Sequence, residues 1–549
     1  NPLTGFDIRA LGEQLLYDPK NPLLFNNGFF VYFFAAFIVL YYLLRDRLAM
    51  RRYVFCFFSL YFFYKASGSF VGLVIVSAIV DFILSNAIHR QTIRSRRTAL
   101  LLLSILFNLG LLFYFKYTDF FIELSNTLFQ TGFQPLNLLL PVGISFYTFE
   151  NLSYTLDVYR GELEPARKFS DYLLFLSFFP KLVMGPIVRA HDFVPQINQP
   201  WSLRETDFAQ GFYLIFSGLF KKLIISDYLT LNFVDFVFDD PARYSGLENL
   251  LAVYGYAVVI YCDFSGYSDV ALGIARWLGF SLPVNFLSPY QSGNITEFWR
   301  RWHISLSSWL RDYLYIPLGG NRGRSIASLL FPALFFGGLV WSGQSLFGLT
   351  LGVSILIALL LLALFILPAI LQRNRQTAFT GMNLFTTMLL GGFWHGASFN
   401  FLIWGALHGF GLAIHKLWLM GPGSWFNTRP TGGWLYKSLM LLLTFHFVCF
   451  GWVFFKADSF DLAGAMLHQI THDFSFSVWP AFFGNYKMVV GLMALAFLLH
   501  AIPDDWPTKR MIHFARAPLL VYLLIFAGFV LLYGVFKAAE PVMPIYLQF

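Results

Sequence analysis

The sequence predicts an all-α fold, a polytopic transmembrane helical bundle with interfacial or re-entrant helices. Three observations lead to it. Of 549 residues, 57% are hydrophobic and 12% charged, and 67 are Phe; a soluble domain carries about 25% charged residues. Mean hydropathy is +0.61, so lipid rather than water is the matching solvent. Apolar runs long enough to cross a bilayer recur along the chain, and the remaining charge is gathered into clusters instead of being spread over a surface.

The same totals exclude several function classes. A net charge of +8 in such a chain belongs with Lys and Arg in cytoplasmic loops, so no nucleic-acid partner is expected. The three cysteines, Cys56, Cys262 and Cys449, lie in apolar runs without a CxxC, which suggests neither disulfides nor a metal site. Residues 1–27 lack a basic segment followed by an apolar core, so no cleaved signal peptide is expected, and Asn at position 1 suggests a start further upstream. No repeat or linker divides the chain. One domain over residues 1–549 is expected, with a core at about 28–420 and C-terminal helices at 434–549.

Taken in order, Gly28–Leu44 is the first span, followed by Arg45, Arg47, Arg51 and Arg52. Tyr53–Tyr64 and Phe70–Ile88 form a pair, followed by Arg90, Arg94, Arg96 and Arg97. Both basic clusters should be cytoplasmic, which puts the N-terminus and the Lys65–Ser69 turn outside. Thr98–Phe115 returns outward. Leu138–Arg160 is apolar but interrupted by Pro141, Gly143, Glu150, Asn151 and Asp157, so it should be broken and buried rather than lipid-facing. Asp171–Val188 has the same irregular look. Phe208–Ile225 ends with Lys221 and Lys222, placed to snorkel to an interface.

Leu250–Leu278 carries Asp263 and Asp269 around Gly266. Two carboxylates in an apolar run need partners or water; alternatively they cap helix ends at an interface. Ser325–Trp341 and Leu346–Leu371 are two further spans closed by Arg373 and Arg375. Asn383–Trp394 and Phe399–Leu419 make a hairpin around WHGAS. Leu435–Phe455, Lys487–His500 and Leu519–Phe536 complete roughly a dozen or more spans by the apolar-run criterion. Phe455–Tyr486 is the longest late loop.

The stretch Asn294–Arg324 stands apart, with five Arg and a His flanked by Trp302. Asn294 and Glu297 fit a capping box that opens a helix. Phe298, Trp302, Leu306, Trp309, Leu310, Tyr313 and Leu314 form one apolar stripe, with Arg300, Ser307 and Arg311 on another face. Pro317 and Gly319-Gly320 stop it. The pattern predicts one amphipathic helix, too charged to cross lipid, in the cytoplasmic interface or dipping into the protein. Its arginines read either as interfacial anchors or as a site for anionic ligand groups such as phosphates. Asp312 is a pairing partner for Arg301 or Arg311.

His303 and His395 are the two histidines singled out, since an ionisable group in a membrane domain is a candidate functional residue. His395 lies between Trp394 and Gly396, with Asn400 and His408 nearby; glycines there allow close approach. His408 and His415 share a helix face, but no carboxylate or Cys completes a metal set, so no metal is expected.

TEFWRRWHISLSSWLRDYLYIPLGGNRG and LGGFWHGASFNFLIWGALHG resemble the two signatures of the membrane-bound O-acyltransferase (MBOAT) family, in its bacterial alginate O-acetylation branch. LLPVGISFYTFENLSYTLDVYRGE, YCDFSGYSDVALGIARWLGF and NFLSPYQSGNITEFW resemble the same branch, and the likeness covers most of residues 28–420. His303 and His395 stand 92 positions apart, and the extra length is the apolar insertion at about 325–373.

The resemblance implies the MBOAT fold, with a central tunnel where a cytoplasmic donor meets an acceptor from outside. It carries the family's essential His onto His395 and its second motif His onto His303. His395 is then the general base toward the acceptor hydroxyl. His303 orients the donor, or polarises the thioester carbonyl if protonated. Arg300, Arg301, Trp302, Arg311 and Trp394 are the donor-binding candidates, and Glu150, Asp263, Asp269 and Asn400 the channel-lining ones.

The implied reaction moves an acyl group, acetyl in the first instance, from a cytoplasmic acetyl-CoA or acyl-carrier thioester to a hydroxyl of an extracytoplasmic polysaccharide or partner protein. No permanently bound cofactor is implied. An extracytoplasmic acyltransferase or hydrolase-like partner, a polysaccharide or cell-wall acceptor, membrane lipid and a bacterial inner-membrane location are. D-alanyl or protein acyl transfer is the alternative within this chemistry. A glycan-lipid transporter or flippase is the alternative outside it and predicts inverted repeats.

Overall fold

Helices are the only regular structure among the described residues, as lipid requires when every backbone polar group must be satisfied within the chain. The computed structural model describes residues 8–25, 27–345, 350–371, 375–420, 433–504, 506–536 and 542–547; Arg373 and residues 346–349 lie outside them. Among the described residues, six helices are long and apolar enough to cross a membrane: Leu48–Arg90, Arg94–Lys116, Glu205–Asp239, Gly246–Trp277, Trp434–Lys456 and Leu519–Phe536. A seventh is added if Phe476–Asn485 and Lys487–His500, bent by 96°, form one span. The chain is therefore a multi-pass membrane protein. Only 6% of the apolar stretch of Leu519–Phe536 is buried by protein, against 78% for Gly246–Trp277. The first faces lipid, and the second lies inside the bundle with its polar residues.

The apolar runs take several forms. The pair at Tyr53–Tyr64 and Phe70–Ile88 forms the continuous stretch Leu48–Arg90, turned through a 3₁₀ segment at Gly68–Phe70. Other runs are apolar because protein, not lipid, surrounds them. Ile144–Arg160 is buried along nearly its whole length, and Phe169–Ser177 and Phe179–Leu182 are short, broken and buried. The expected late loop holds helices at Phe460–His472 and Trp479–Asn485, the first capped by Ser459, whose hydroxyl accepts from Leu462 N–H at 3.2 Å.

The chain divides into two compact units. The first comprises the described residues up to 227, with 261–284 and 506–547. Its interior holds charged side chains, each met by an opposite charge or by hydrogen-bond donors. The Glu150 carboxylate pairs with Lys181 and accepts from Val188 N–H at 3.2 Å. Asp81 accepts from Ser104 at 2.5 Å and from Asn108 at 2.7 Å. Lys222 bridges Asp263 at 2.5 Å and Asp227 at 2.8 Å, while Asp263 also accepts from Ile545 N–H at 2.9 Å.

Two expectations change in this unit. Lys221 and Lys222 do not snorkel: Lys221 pairs with Asp269 at 2.6 Å, and Lys222 is buried. Asp263 and Asp269 are not helix caps but sit inside Gly246–Trp277, where burial makes an opposite charge the favourable partner. Two arginines of the first basic cluster also turn inward. Arg51 donates to Gln199 O at 2.6 Å, and Arg52 pairs with Asp171 at 3.0 Å.

The second unit comprises residues 228–260 and 285–504. Its centre is the hairpin of Arg375–His395 and Phe399–Met420. The insertion forms Ala327–Ser345 and Leu351–Leu371. Phe336 and Phe365 from it pack with Phe385, Leu389, Ala406 and Ala413 of the hairpin. The extra length thus buttresses the helix that ends in His395.

Candidate active site

The arginine-rich segment starts as its sequence dictates. Asn294 Oδ1 accepts from Glu297 N–H at 2.8 Å, and Glu297 reaches back to Gly293 N–H at 3.0 Å. This is a capping box shifted by one residue at its return arm. The helix is not continuous, however. Ile295–Arg301 ends, His303 takes a left-handed backbone (φ 43°, ψ 53°), and a second helix runs Ile304–Leu310 before a π-helical turn at Arg311–Tyr315. The cause lies upstream. Asn285 Oδ1 accepts from the Ser305 N–H at 3.1 Å and the Ser305 hydroxyl at 2.9 Å. It thereby caps the second helix from outside the segment and holds the break open.

His303 Nδ1 lies 3.2 Å from the same Asn285 oxygen. An amide oxygen only accepts, so Nδ1–H donates and Nε2 carries the lone pair. His303 is fully buried and lies outside the membrane-crossing helices. Burial pushes its imidazole down to about 3. Burial and the Asn285 contact both suit a neutral ring held in one orientation.

That shift has a stability consequence. An unfolded His titrates near about 6.5, so between about pH 6.5 and about pH 3 the unfolded chain binds a proton that the folded chain refuses. The stability tied to the neutral ring is present above this window and is lost as pH falls through it. In detergent, the melting temperature of the native protein should fall more steeply below about pH 6 than that of His303→Gln. Identical slopes would contradict the assignment.

His395 is the last residue of Arg375–His395. Two glycines let its hairpin close: a Cβ on Gly392 would meet Phe401 O at 2.3 Å, and one on Gly405 would meet Met388 O at 2.4 Å. The helices touch backbone to backbone there, as small residues allow. The His395 ring is buried among the edges and faces of Trp394 (4.9 Å), Trp404 (5.0 Å) and Phe455 (5.3 Å). Trp394 also lies 6.5 Å from His303. One indole is thus shared by the two histidines that the chain separates by 92 positions.

The other sequence-derived candidates separate by what they touch. Arg300 is exposed. Arg301 is held by Glu297 at 2.9 Å and Asp504 at 3.5 Å, which makes it a strut. Arg311 is mostly exposed and pairs with Asp312 at 2.7 Å. Trp302 is buried against Phe286, Phe298 and Trp452, so it packs the core of the site. Asn400 donates to Ala457 O at 2.7 Å and ties two helices together. Glu150, Asp263 and Asp269 lie in the first unit, each with its lysine. His408 and His415 go to different partners, Trp299 Nε1–H at 3.2 Å and the Thr296 hydroxyl at 2.8 Å.

Several supporting residues escape the sequence reading. Asn285 sets His303. Asn383 donates to Gly320 O at 2.8 Å and Gly323 O at 3.2 Å, docking the GGNRG turn on the His395 helix. Trp404, Trp452 and Phe455 close the cage. Asn285 lies within NFLSPYQSGNITEFW, which was the available signal; the aromatic residues looked like any other in a chain that is 20% aromatic.

A family model, MBOAT, the membrane-bound O-acyltransferase family, matches residues 109–341, a range that holds His303 and ends before His395. A peptidoglycan O-acetyltransferase of Helicobacter pylori is 33% identical over 431 residues, covering 74% of this chain and 71% of the relative. A probable alginate O-acetylase, AlgI, of Pseudomonas aeruginosa is 35% identical over 486 residues, 87% of this chain and 80% of the relative. A teichoic acid D-alanyltransferase of Bacillus subtilis is 29% identical over 335 residues, 60% and 72%. With this likeness spanning most of the chain, the protein belongs to the membrane-bound O-acyltransferase family and is an acyltransferase.

Proposed function

We propose that the protein moves an acetyl group from a cytoplasmic thioester, acetyl-CoA or an acyl-carrier, to a hydroxyl of an extracytoplasmic polysaccharide or cell-wall polymer. The observation that carries this reading is the shared indole: His395 and His303 both lie against Trp394 in a buried aromatic cluster. His395 takes the proton from the acceptor hydroxyl as its oxygen attacks the thioester carbonyl carbon. The C–O bond forms, the C–S bond breaks, and the thiolate leaves with the proton. His303, neutral and fixed by Asn285, positions the donor through its Nε2 side.

Among the arginines, Arg300 and Arg311 meet the donor's phosphates in this reading, and Arg301 supports them from its carboxylate pairs. Trp394 and Trp302 shape the donor end. Glu150, Asp263 and Asp269, each with its lysine, and Asn400 hold their own helices in place.

Acetyl is favoured over D-alanyl because the acetylases resemble more of this chain at higher identity than the D-alanyltransferase does. The setting is a bacterial inner membrane with the N-terminus outside. The acceptor is reached through an extracytoplasmic hydrolase-like partner. The test uses purified protein in detergent with radiolabelled acetyl-CoA and candidate polysaccharide or peptidoglycan acceptors. Label on the acceptor with matching thiol release is expected. Binding of the acceptor without any thiol release, for every donor offered, would instead favour transport.

A further inference from the structure

We infer that Trp404, His408 and Trp452 form a donor-lined half of this active site that receives the carbonyl oxygen of the acyl group as it becomes an oxyanion. The inference rests on the acyl-transfer reading above. It begins with a proton count. Trp299 Nε1–H donates to His408 Nδ1 at 3.2 Å. An indole N–H only donates, so His408 Nδ1 holds a lone pair and the ring proton sits on Nε2. His408 is fully buried, and Nε2 has no hydrogen-bond partner among the described residues. The same holds for Trp404 Nε1 and Trp452 Nε1, in side chains 1% and 0% exposed.

These three N–H groups share one neighbourhood. The Trp404 ring is 4.7 Å from His408 and 6.0 Å from Trp452. Gly451 marks a space that two of them border: a Cβ there would lie 3.1 Å from His408 Nε2 and 3.6 Å from Trp404 Nε1. Buried donors are normally satisfied, and here three neighbouring ones lack acceptors, two of them beside a position kept free of a side chain. Three N–H groups offer nothing to a cation or a metal. They suit an oxygen that carries negative charge.

Trp404 also joins this cluster to the reaction centre, since its ring lies 5.0 Å from His395. In acyl transfer the base contacts the attacking oxygen at about 3 Å, and the donors contact the oxyanion at about 3 Å on the same carbon. Base and donors therefore lie within roughly 8 Å of each other. As the hydroxyl attacks, the carbonyl electron pair moves onto oxygen, which accepts these N–H bonds. As the pair returns, the C–S bond breaks and the thiolate takes the proton held by His395.

Trp404→Phe and Trp452→Phe each delete one N–H and keep a ring. Gly451→Ala keeps every N–H and puts a methyl group beside two of them. With full-length protein, acetyl-CoA and the polymer acceptor, Trp404→Phe should lower kcat by about 10²- to 10³-fold with KM for acetyl-CoA nearly unchanged. Gly451→Ala should also lower kcat. In His395→Ala protein, bound acetyl-CoA labelled with carbon-13 at the carbonyl should show a lowered C=O stretching frequency, and adding Trp404→Phe should reverse it. Wild-type kcat in both Trp→Phe variants and an unmoved frequency, with His395→Ala inactive, would overturn this inference alone and leave a buried water as the occupant. Normal transfer by His395→Ala would overturn the acyl-transfer reading with it.

Discussion

His395→Ala should lower acyl transfer by about 10²- to 10⁴-fold, the range lost when a positioned general base is removed, while the protein still folds and inserts. The ring makes edge-to-face contacts with Trp394, Trp404 and Phe455. Its loss opens a cavity in a wall whose other members remain, at a cost of about 2–5 kcal/mol. A reduced yield of folded protein with almost no thiol release per folded molecule is the expected combination. His395→Gln separates the two effects further, since it refills much of the space and can donate and accept hydrogen bonds but has no basic nitrogen. It should recover stability without recovering turnover. A His395→Ala protein that folds and transfers at the native rate would return His395 to the class of packed core histidines.

Lys222→Met should be the most damaging single change to the fold. It leaves Asp263 and Asp227 facing each other in the interior with no cation between them. Removing one partner of a buried ion pair costs about 3–5 kcal/mol, a large share of the roughly 5–15 kcal/mol that holds a typical domain together. Asp263→Asn in the same protein removes one of the two charges that Lys222→Met strands, so the double variant should be more stable than Lys222→Met. The expected readout is loss of the monodisperse peak in detergent for Lys222→Met and partial recovery in the double variant. Equal stability of Lys222→Met and native protein would mean that water or another cation reaches the carboxylates.

How far the sequence was legible depends on how local each interaction is. The capping box at Asn294 and Glu297 joins residues three apart and could be read directly. The break at His303 could not, because the amide that imposes it, Asn285, is 18 positions upstream. Composition showed that Asp263, Asp269, Lys221 and Lys222 each needed an explanation, but not that they explain one another across 41 and 48 positions. Apolar runs alone did not separate lipid-facing from buried helices, because burial in protein and burial in lipid select the same side chains, as Ile144–Arg160 shows. His395 was found through the WHG motif, which also supplies Trp394, whereas Trp404 and Phe455, which complete its enclosure, come from other helices.

The central claim is that a thioester on one side of the membrane is consumed to acylate a hydroxyl from the other. Sealed proteoliposomes test it most directly, with acetyl-CoA confined to one face and polymer acceptor to the other. Label should accumulate on the acceptor in step with free thiol on the donor face, and His395→Ala vesicles should produce neither. Accumulation of acceptor across the bilayer without thiol release, or equal label from His395→Ala vesicles, would contradict the account.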